Sequence, residues 1–483
     1  MAAHTSDIVI VGGGVAGCAA AVAFGKQGRT VVLLERSLAQ PERVVGELLQ
    51  PGGVRALNYW AWEVRLNCLL FYGISIIWQI DNRTLIDCLK NIDAVPCRGY
   101  RVSYFNESVN IPYPDDPNAP GERPEGCSFQ HGRFIQNLRK AATNAPNVTV
   151  VEAKATDLLR DKDTGKVLGV LACSGKKATE YYGSLTIACD GYASPFRKGH
   201  LPNKPSSQSK FWALELIDAK LPEPYYGHVL LSDAPPILVY QISPRQTRIF
   251  MDVPTGLPSA SPAAGGIKSH MLSVVLPRLP AGCRNSFRDA VARGKFRSMP
   301  NSFLPPSEQK VPGLLFLGDA LNMRHPLTGG GMTVAFNDVL LISKLLAPEN
   351  VPSLNDTRAV LEQIGHFHWA RKRSSSLINI LAMALYTLFA AKDTTLAALK
   401  SGCFRYFQIG GRCKEEPCGM LAGLIRSPWV LVYHFFAVAF YSVWLVLAEA
   451  PIWKIPYAVV AATLIMWKAC CVIGPYLIWE LMP

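Results

Sequence analysis

Ile8-Val-Ile-Val-Gly-Gly-Gly-Val-Ala-Gly17 decides how this chain is read. Ile8–Val11 is a continuous apolar run, the pattern of a parallel strand buried on both faces. Gly12-Gly-Gly14-Val-Ala-Gly17 follows at once. Cys18-Ala-Ala-Ala-Val-Ala-Phe24 then reads as a helix packed close through small residues, and Thr30-Val-Val-Leu-Leu34 as a second strand ending at Glu35-Arg36. This is a G-x-G-x-x-G fingerprint inside a strand–helix–strand unit, with an acid about 20 residues on. Gly12 makes the tight turn, Gly14 admits a pyrophosphate, and Gly17 lets helix and strand touch. Glu35 suits a ribose 2′-hydroxyl and repels a 2′-phosphate, so the pattern predicts FAD or NAD in preference to NADP.

Far along the chain stands Leu315-Phe-Leu-Gly-Asp-Ala-Leu-Asn-Met-Arg-His-Pro-Leu-Thr-Gly-Gly-Gly-Met332. A short apolar run ends in Gly318-Asp319, and a Pro and three glycines precede a helical pattern. Asp319 is placed to accept from a ribose hydroxyl, and the glycines let backbone N–H groups approach a ring or phosphate at a helix start. Alone, such a stretch is equally a strand–turn–helix corner; paired with the N-terminal fingerprint it becomes specific. Between the two, Leu185–Cys189 reads as a buried strand capped by Asp190-Gly-Tyr-Ala-Ser194-Pro-Phe-Arg197. Phe211–Pro254 alternates in strand fashion and predicts an antiparallel layer beside the nucleotide unit, where a substrate pocket would be built. Asp161-Lys-Asp-Thr-Gly165 is a hairpin turn signal, Gln130 opens a helix to about Asn144, and Pro258–Arg297 reads as helical and polar.

The chain has 483 residues, 49% hydrophobic and only 18% charged, with a net charge of +13, and its mean hydropathy is +0.15. That is too apolar for an ordinary soluble enzyme. A basic balance suits nucleic acid or an anionic membrane face; with no long Lys/Arg run and no nucleic-acid motif, the membrane is favoured and nucleic acid is not expected. The 13 cysteines are scattered without a C-x-x-C pair, so neither a metal site nor a disulfide framework is expected and a reduced, cytosol-facing setting fits. No cleavable signal peptide is read, since Asp7-Ile-Val-Ile-Val-Gly already begins a domain strand. Towards the C-terminus, Ala359–Arg373 and Leu377–Ala391 read as two helical segments. Trp429–Leu447 and Ile455–Trp479 are apolar at membrane length, the latter carrying Lys468, which is costly in hydrocarbon unless it snorkels or pairs. They predict a membrane-embedded helical hairpin.

Three separated motifs, Gly12-x-Gly14-x-x-Gly17, Asp190-Gly-x-x-Ser194-x-x-Arg197 and Gly318-Asp319, resemble the FAD-dependent monooxygenases of the para-hydroxybenzoate hydroxylase fold. The likeness narrows at Val45-Gly-Glu-Leu-Leu-Gln-Pro-Gly-Gly53, Phe129-Gln-His-Gly-Arg-Phe-Ile135, Arg297-Ser-Met-Pro-Asn-Ser-Phe-Leu-Pro-Pro306, the Gly318–Met332 run and His434-Phe-Phe-Ala-Val-Ala439. These closely resemble the squalene epoxidase (squalene monooxygenase) family, over nearly the whole chain. The fold this implies is α/β: a Rossmann-like FAD-binding domain with an antiparallel-sheet substrate domain and a C-terminal helical membrane-associated region. Residues 1–57, 84–205 and 298–346 would form the first, 206–297 the second and 347–483 the third.

The resemblance makes Val15, Ala16, Glu35, Arg36, Arg43, Arg133, Asp319 and Met332 FAD contacts, beside Gly12, Gly14 and Gly17. Tyr100 matches a pocket tyrosine important for activity, with Gln50 as its hydrogen-bond partner; both are the catalytic candidates. Tyr240, Pro326, Phe389 and His434 match residues lining the squalene or inhibitor pocket. The implied reaction is epoxidation of squalene to (3S)-2,3-oxidosqualene with O₂ through a flavin C4a-hydroperoxide, an alkene nucleophile needing no general base. Electrons would come from NADPH through a cytochrome P450 reductase, at the cytosolic face of the endoplasmic reticulum membrane or a lipid droplet. One stretch departs from the family: Asn58–Arg83, where epoxidases have a short connection. It reads as a membrane-facing insertion or, with Val64-Arg65 and Asn82-Arg83 as translated splice sites, as a retained intron. The amino end also lacks the hydrophobic anchor that some members carry. Another membrane flavoenzyme acting on a polyprenyl lipid, and a non-enzymatic FAD-fold protein, are the alternative readings.

Overall fold

The computed structural model describes residues 3–59, 85–116, 121–390 and 393–481. Nearly all of Asn58–Arg83 therefore lies outside the described residues; only 58 and 59 are seen, ending a helix over 51–59.

The first sheet runs Val148–Glu152, Val31–Glu35, Ala3–Val11, Lys177–Ala188, Val167–Ser174, Lys154–Arg160, with Leu314–Phe316 added along the C-terminal half of Lys177–Ala188. The strands carrying the three motifs are parallel and in register: Val11 lies beside Leu34 and Ala188, and Ala188 beside Phe316. Each motif begins just past these positions, so one sheet edge receives Gly12, Glu35, Asp190 and Asp319 together. Ligands of open α/β sheets bind outside the carboxyl ends of such strands. The expected hairpin at Asp161–Gly165 joins Lys154–Arg160 to Val167–Ser174, with Asp161 accepting from the N–H groups of Asp163 and Thr164.

The second sheet has seven strands in the order Arg297–Phe303, Ser206–Ile217, Gln246–Pro254, Ile237–Gln241, Gly227–Leu231, Gly99–Tyr104, Glu107–Pro112. Three features differ from the sequence reading. Arg297–Phe303, all but its first residue expected in the nucleotide unit, forms one edge of this sheet. Gly99–Pro112, expected within the nucleotide unit, supplies two strands here, and Gly227–Leu231 pairs with Gly99–Tyr104 in parallel. A strand arriving from the nucleotide unit enters at the sheet edge, and nothing local in the sequence marks that long-range pairing.

Thr357–Phe389 is one helix of 33 residues, not the two segments read from the sequence. The intervening Ser374-Ser375-Ser376 do not break it. Ser374 and Ser375 donate to the Arg371 carbonyl, each at 3.0 Å, and Arg371 is fixed by two hydrogen bonds to Asp338, at 3.0 and 2.7 Å. Pro428–Ala448 and Ile455–Leu481 pack on each other, and among the described residues two helices are long and apolar enough to cross a membrane. Trp429, Tyr433, Phe440, Trp444, Tyr457 and Trp467 stand exposed on them and Trp453 on the turn between them, the surface of a membrane-associated protein. Lys468 pairs with Asp393 at 3.5 Å, the relief its position calls for.

The long helix is fastened to the second sheet through a buried carboxyl. Asp252 accepts from Asn301 Nδ2 at 3.0 Å and Tyr386 Oη at 3.2 Å. Burial pushes its carboxyl up from 3.8 to about 6. The folded chain thus holds a proton that the unfolded chain has already released. This stabilises the fold at pH below about 4, and the contribution is lost as pH rises through about 6. We expect the thermal stability of Asp252→Asn to fall less between pH 4 and 7 than that of the unaltered protein, by roughly 1–3 kcal/mol. Parallel melting curves across that range would remove Asp252 as the titrating group.

Candidate active site

At the shared sheet edge the fingerprint closes on itself. A Cβ on Gly17 would lie 1.9 Å from the Gly12 carbonyl oxygen, so the helix Val15–Lys26 seats against the strand only with glycine there. Gly12 itself has φ +105°, and a Cβ on Gly14 would meet nothing within 4 Å; that face is open where a diphosphate needs room. Glu35 Oε2 accepts from the Gly13 N–H at 2.7 Å, and Arg139 donates to the Gly13 carbonyl at 2.9 Å while pairing with Glu35 at 3.4 Å. Val15 and Ala16 form the first turn of the helix. A Cβ on Gly318 would stand 3.1 Å from Ala16 Cβ, so the Gly318–Asp319 turn abuts that helix start.

Arg197 binds the second motif to the third, donating to Tyr192 O at 2.6 Å and to the carbonyls of Asp319 and Ala320, both at 3.2 Å. Arg43 reaches the Asp319 carboxylate at 3.1 Å, and its Nε is buried with no hydrogen-bond partner. Met332, buried, sits in the first turn of the helix Gly331–Leu345. An open glycine face, a carboxylate placed for a ribose, two helix starts and an unpaired guanidinium N–H form a donor set that fits a flavin dinucleotide. Arg36 is exposed beside Glu35. Arg133, on the first turn of His131–Thr143, is drawn off by an ion pair with Asp93.

Tyr100 and Gln50 meet as expected. Gln50 Nε2 donates to Tyr100 Oη at 2.5 Å and to the Thr328 carbonyl at 2.7 Å; Tyr113 Oη donates to Gln50 Oε1 at 2.6 Å. Burial holds the Tyr100 phenol well above its ordinary range, so it is a neutral hydrogen-bonding group. It faces a cavity walled mostly by apolar side chains, including Val102, Ile111, Val229, Leu327 and Phe389, with Thr328 and, from the helix Arg412–Leu421 along one side, Lys414 also in its lining. Phe389 lines it directly, and Pro326 opens the turn that presents Leu327 and Thr328. Tyr240 packs in the same apolar cluster, outside the lining. His434 is also outside the lining, held by Tyr406 Oη at 2.9 Å and Glu416 at 2.6 Å.

Sequence reasoning missed Tyr113, Thr328, Arg197 and the buried pair of Glu47 with Arg248, at 2.8 and 2.9 Å. Burial pushes the Glu47 carboxyl up to about 7. Arg197 stood in a quoted motif and Glu47 three residues before Gln50. Tyr113, inside a Pro-flanked loop sequence, carried no signal.

A model of the squalene epoxidase family matches residues 182–460, and one of the glucose inhibited division protein A family matches residues 7–48. Squalene epoxidase erg1 of Aspergillus fumigatus is 54% identical, over 98% of this chain and 94% of its own length. Squalene monooxygenase of Mus musculus is 37% identical over 98% of this chain and 78% of its own. Among solved structures, p-nitrophenol 4-monooxygenase PnpA from Pseudomonas putida superposes with a TM-score of 0.65 at 18% identity, covering 88% of this chain and 99% of that one, which shows a shared fold.

Two glycine substitutions separate packing from ligand binding. Gly17→Ala drives a methyl into a backbone oxygen and should yield protein that melts earlier and carries no flavin. Gly14→Ala meets nothing in the protein and should melt normally while flavin affinity falls roughly tenfold, about 1.4 kcal/mol. Flavin absorbance after gel filtration reads both; unchanged flavin content in Gly14→Ala would place the diphosphate elsewhere.

Proposed function

The chain belongs to the squalene epoxidase family, and on that premise we propose how its residues divide the work of epoxidising squalene. The enzyme is an FAD-dependent monooxygenase of sterol biosynthesis, converting squalene to 2,3-oxidosqualene. The observation that carries the site assignment is the Tyr100–Gln50 pair, on the wall of a mostly apolar cavity and bonded to Thr328 of the glycine-rich turn.

Gly12, Gly14, Val15, Ala16 and Gly17 would hold the FAD diphosphate, Glu35 and Arg36 its adenosine ribose region, and Arg43, Asp319 and Met332 its remaining length, with Arg133 joining them only on leaving Asp93. FAD, when bound and reduced, supplies the electrons and the activation of O₂ that put one oxygen atom on the alkene. Squalene has no group to pair with a charge or a strong donor, so burial and shape must hold it. Phe389, Leu327 and their neighbours provide the apolar wall and exclude water, with Pro326 shaping the turn beside the flavin, Tyr240 backing the cluster and His434 holding the membrane helix against it. Tyr100, kept protonated and oriented by Gln50, is the polar group at the reacting end. The alkene is the nucleophile, so no side chain need remove a proton.

Residues 1–57, 84–205 and 298–346 serve as the FAD unit, with Gly99–Pro112 lending two strands and Arg297–Phe303 a third to the substrate sheet. Residues 206–297 form most of that sheet, and 347–483 dock the enzyme on lipid. We propose that this lipid is the cytosolic face of the endoplasmic reticulum membrane, where an NADPH–cytochrome P450 reductase would deliver the electrons. A net charge of +13 supports docking on anionic headgroups and an acidic reductase face.

Detergent-solubilised protein supplied with FAD, NADPH, a P450 reductase and squalene should form oxidosqualene, detected by mass spectrometry. Protein with reducible flavin and no such product would sink the assignment. A parallel preparation lacking residues 64–83 shows whether that segment is tolerated or must be absent for activity.

A further inference from the structure

Gly331 is exposed while Gly330 and Met332 on either side of it are buried. It is the first residue of the helix Gly331–Leu345, whose start has no side-chain cap and no acid in its first turn. The N–H groups of that turn keep their partial positive charge uncompensated. Outside its own turn of chain, a Cβ on Gly331 would meet one atom within 4 Å, Arg324 Nη1 at 3.9 Å. Arg324 is only 8% exposed. It donates through Nη2 to the Asn322 carbonyl at 3.0 Å and to Asn322 Oδ1 at 2.6 Å, and neither acceptor is charged. Its Nε is buried with no hydrogen-bond partner among the described residues. The Asp338 carboxylate is taken up by Arg371, at 3.0 and 2.7 Å. Burial draws the Arg324 guanidinium down from 12.5 to about 10, which leaves it charged at neutral pH. A buried cation without a bonded carboxylate is costly to keep. Here it and a bare helix start converge on one opening, an arrangement that suits negative charge.

We propose that Arg324 is a flavin-binding residue whose guanidinium, with the start of Gly331–Leu345, holds the negative charge that the flavin ring gains on reduction. The proposal rests on the reading that the ring lies against the Gly329–Gly331 turn. A Cβ on Gly329 would stand 3.3 Å from Gln50 Nε2, so this turn borders the Tyr100 cavity, where a ring that serves the alkene would sit. Two electrons from the reductase and one proton from water convert the oxidised ring to the reduced anion, with the charge on its pyrimidine edge. Oxidised flavin carries no such charge. A fixed cation at that edge therefore binds the reduced ring more tightly than the oxidised one and makes the bound cofactor easier to reduce. Asp319 and Asp338 weaken this field and Arg371 strengthens it, but Arg324 is the cation that reaches the opening.

The test is spectroscopic, on full-length enzyme loaded with FAD and brought to equilibrium with a reference redox dye. Bound reduced FAD should keep the absorbance of the anion from neutral to mildly acidic pH; appearance of the neutral reduced form there would overturn the proposal. Arg324→Met should move the dye equilibrium at least tenfold towards oxidised flavin, about 30 mV for a two-electron couple. Arg324→Lys should recover most of that shift. An unchanged equilibrium in Arg324→Met, or a loss that Arg324→Lys fails to reverse, also overturns it. Gly331→Ala leaves the Asn322 contacts intact and sets a methyl between Nη1 and the ring, so it should move the equilibrium the same way. It carries the test if Arg324→Met does not load FAD, and altered flavin affinity with an unmoved equilibrium would then count against Arg324. If Gly331→Ala changes neither affinity nor equilibrium, the ring does not lie on this turn and the reading beneath the proposal fails.

Discussion

Helix Val15–Lys26 lies so close to the first strand that even one methyl group at Gly17 would collide with the Gly12 carbonyl. Much of the fold depends on that contact. It fixes the helix start against the strand end, and the parallel register carries the constraint sideways, setting Ala188 beside Val11 and Phe316 beside Ala188. Three motifs more than a hundred residues apart then open onto one edge. Arg197 completes the arrangement with three hydrogen bonds to backbone carbonyls, two of them in the Asp319 turn. A carbonyl cannot change charge with pH, so this seam is insensitive to protonation.

Beyond the nucleotide unit, cohesion comes from buried charge. Arg248 with Glu47 joins the second sheet to the strand that leads to Gln50, and Arg371 with Asp338 joins the long helix to the helix that follows the three glycines. Such pairs add little net stability over apolar packing, yet losing one partner is costly, roughly 3–5 kcal/mol. They act as register pins. Asn322 Oδ1 accepts from Arg371 at 3.3 Å and from Asn379 at 3.2 Å, and Asn379 in turn donates to Glu480, near the end of the last helix, at 2.8 Å. The membrane-facing helices are thereby tied by side-chain bonds to the turn beside the cofactor cradle, and greasy contact is not their only attachment. The close crossing of Gly402 and Ser442, where a Cβ would lie 1.9 Å from the serine oxygen, is packing of the kind small residues allow between apolar helices.

A chemistry that moves oxygen onto a hydrocarbon asks for a dry, shaped space and very few polar atoms. The cavity is largely apolar, with Tyr100, Thr328 and Lys414 as the polar residues of its lining, and the phenol is governed by an amide that touches three chain segments: the turn at Thr328, the strand at Tyr100 and the loop at Tyr113. Cofactor turn and substrate sheet are joined at a single side chain, so a shift in either is felt by the other.

The strand–helix–strand unit, the three motif positions, the apolar C-terminal pair and, through resemblance, the pairing of Tyr100 with Gln50 can all be read from the order of residues. These are legible because each is a local pattern: glycine spacing set by backbone sterics, apolar runs set by burial, a carboxylate at a strand end. Which residues share a bond across the chain became visible only in the folded molecule. Gly99–Pro112 crosses into the second sheet, Arg133 is taken by Asp93, His434 is engaged by Tyr406 and Glu416, and Tyr113 reaches Gln50 over 63 positions of sequence. Long-range hydrogen bonds are matched pairs of donor and acceptor brought together by folding, and neither partner carries a mark of the other in its own neighbourhood.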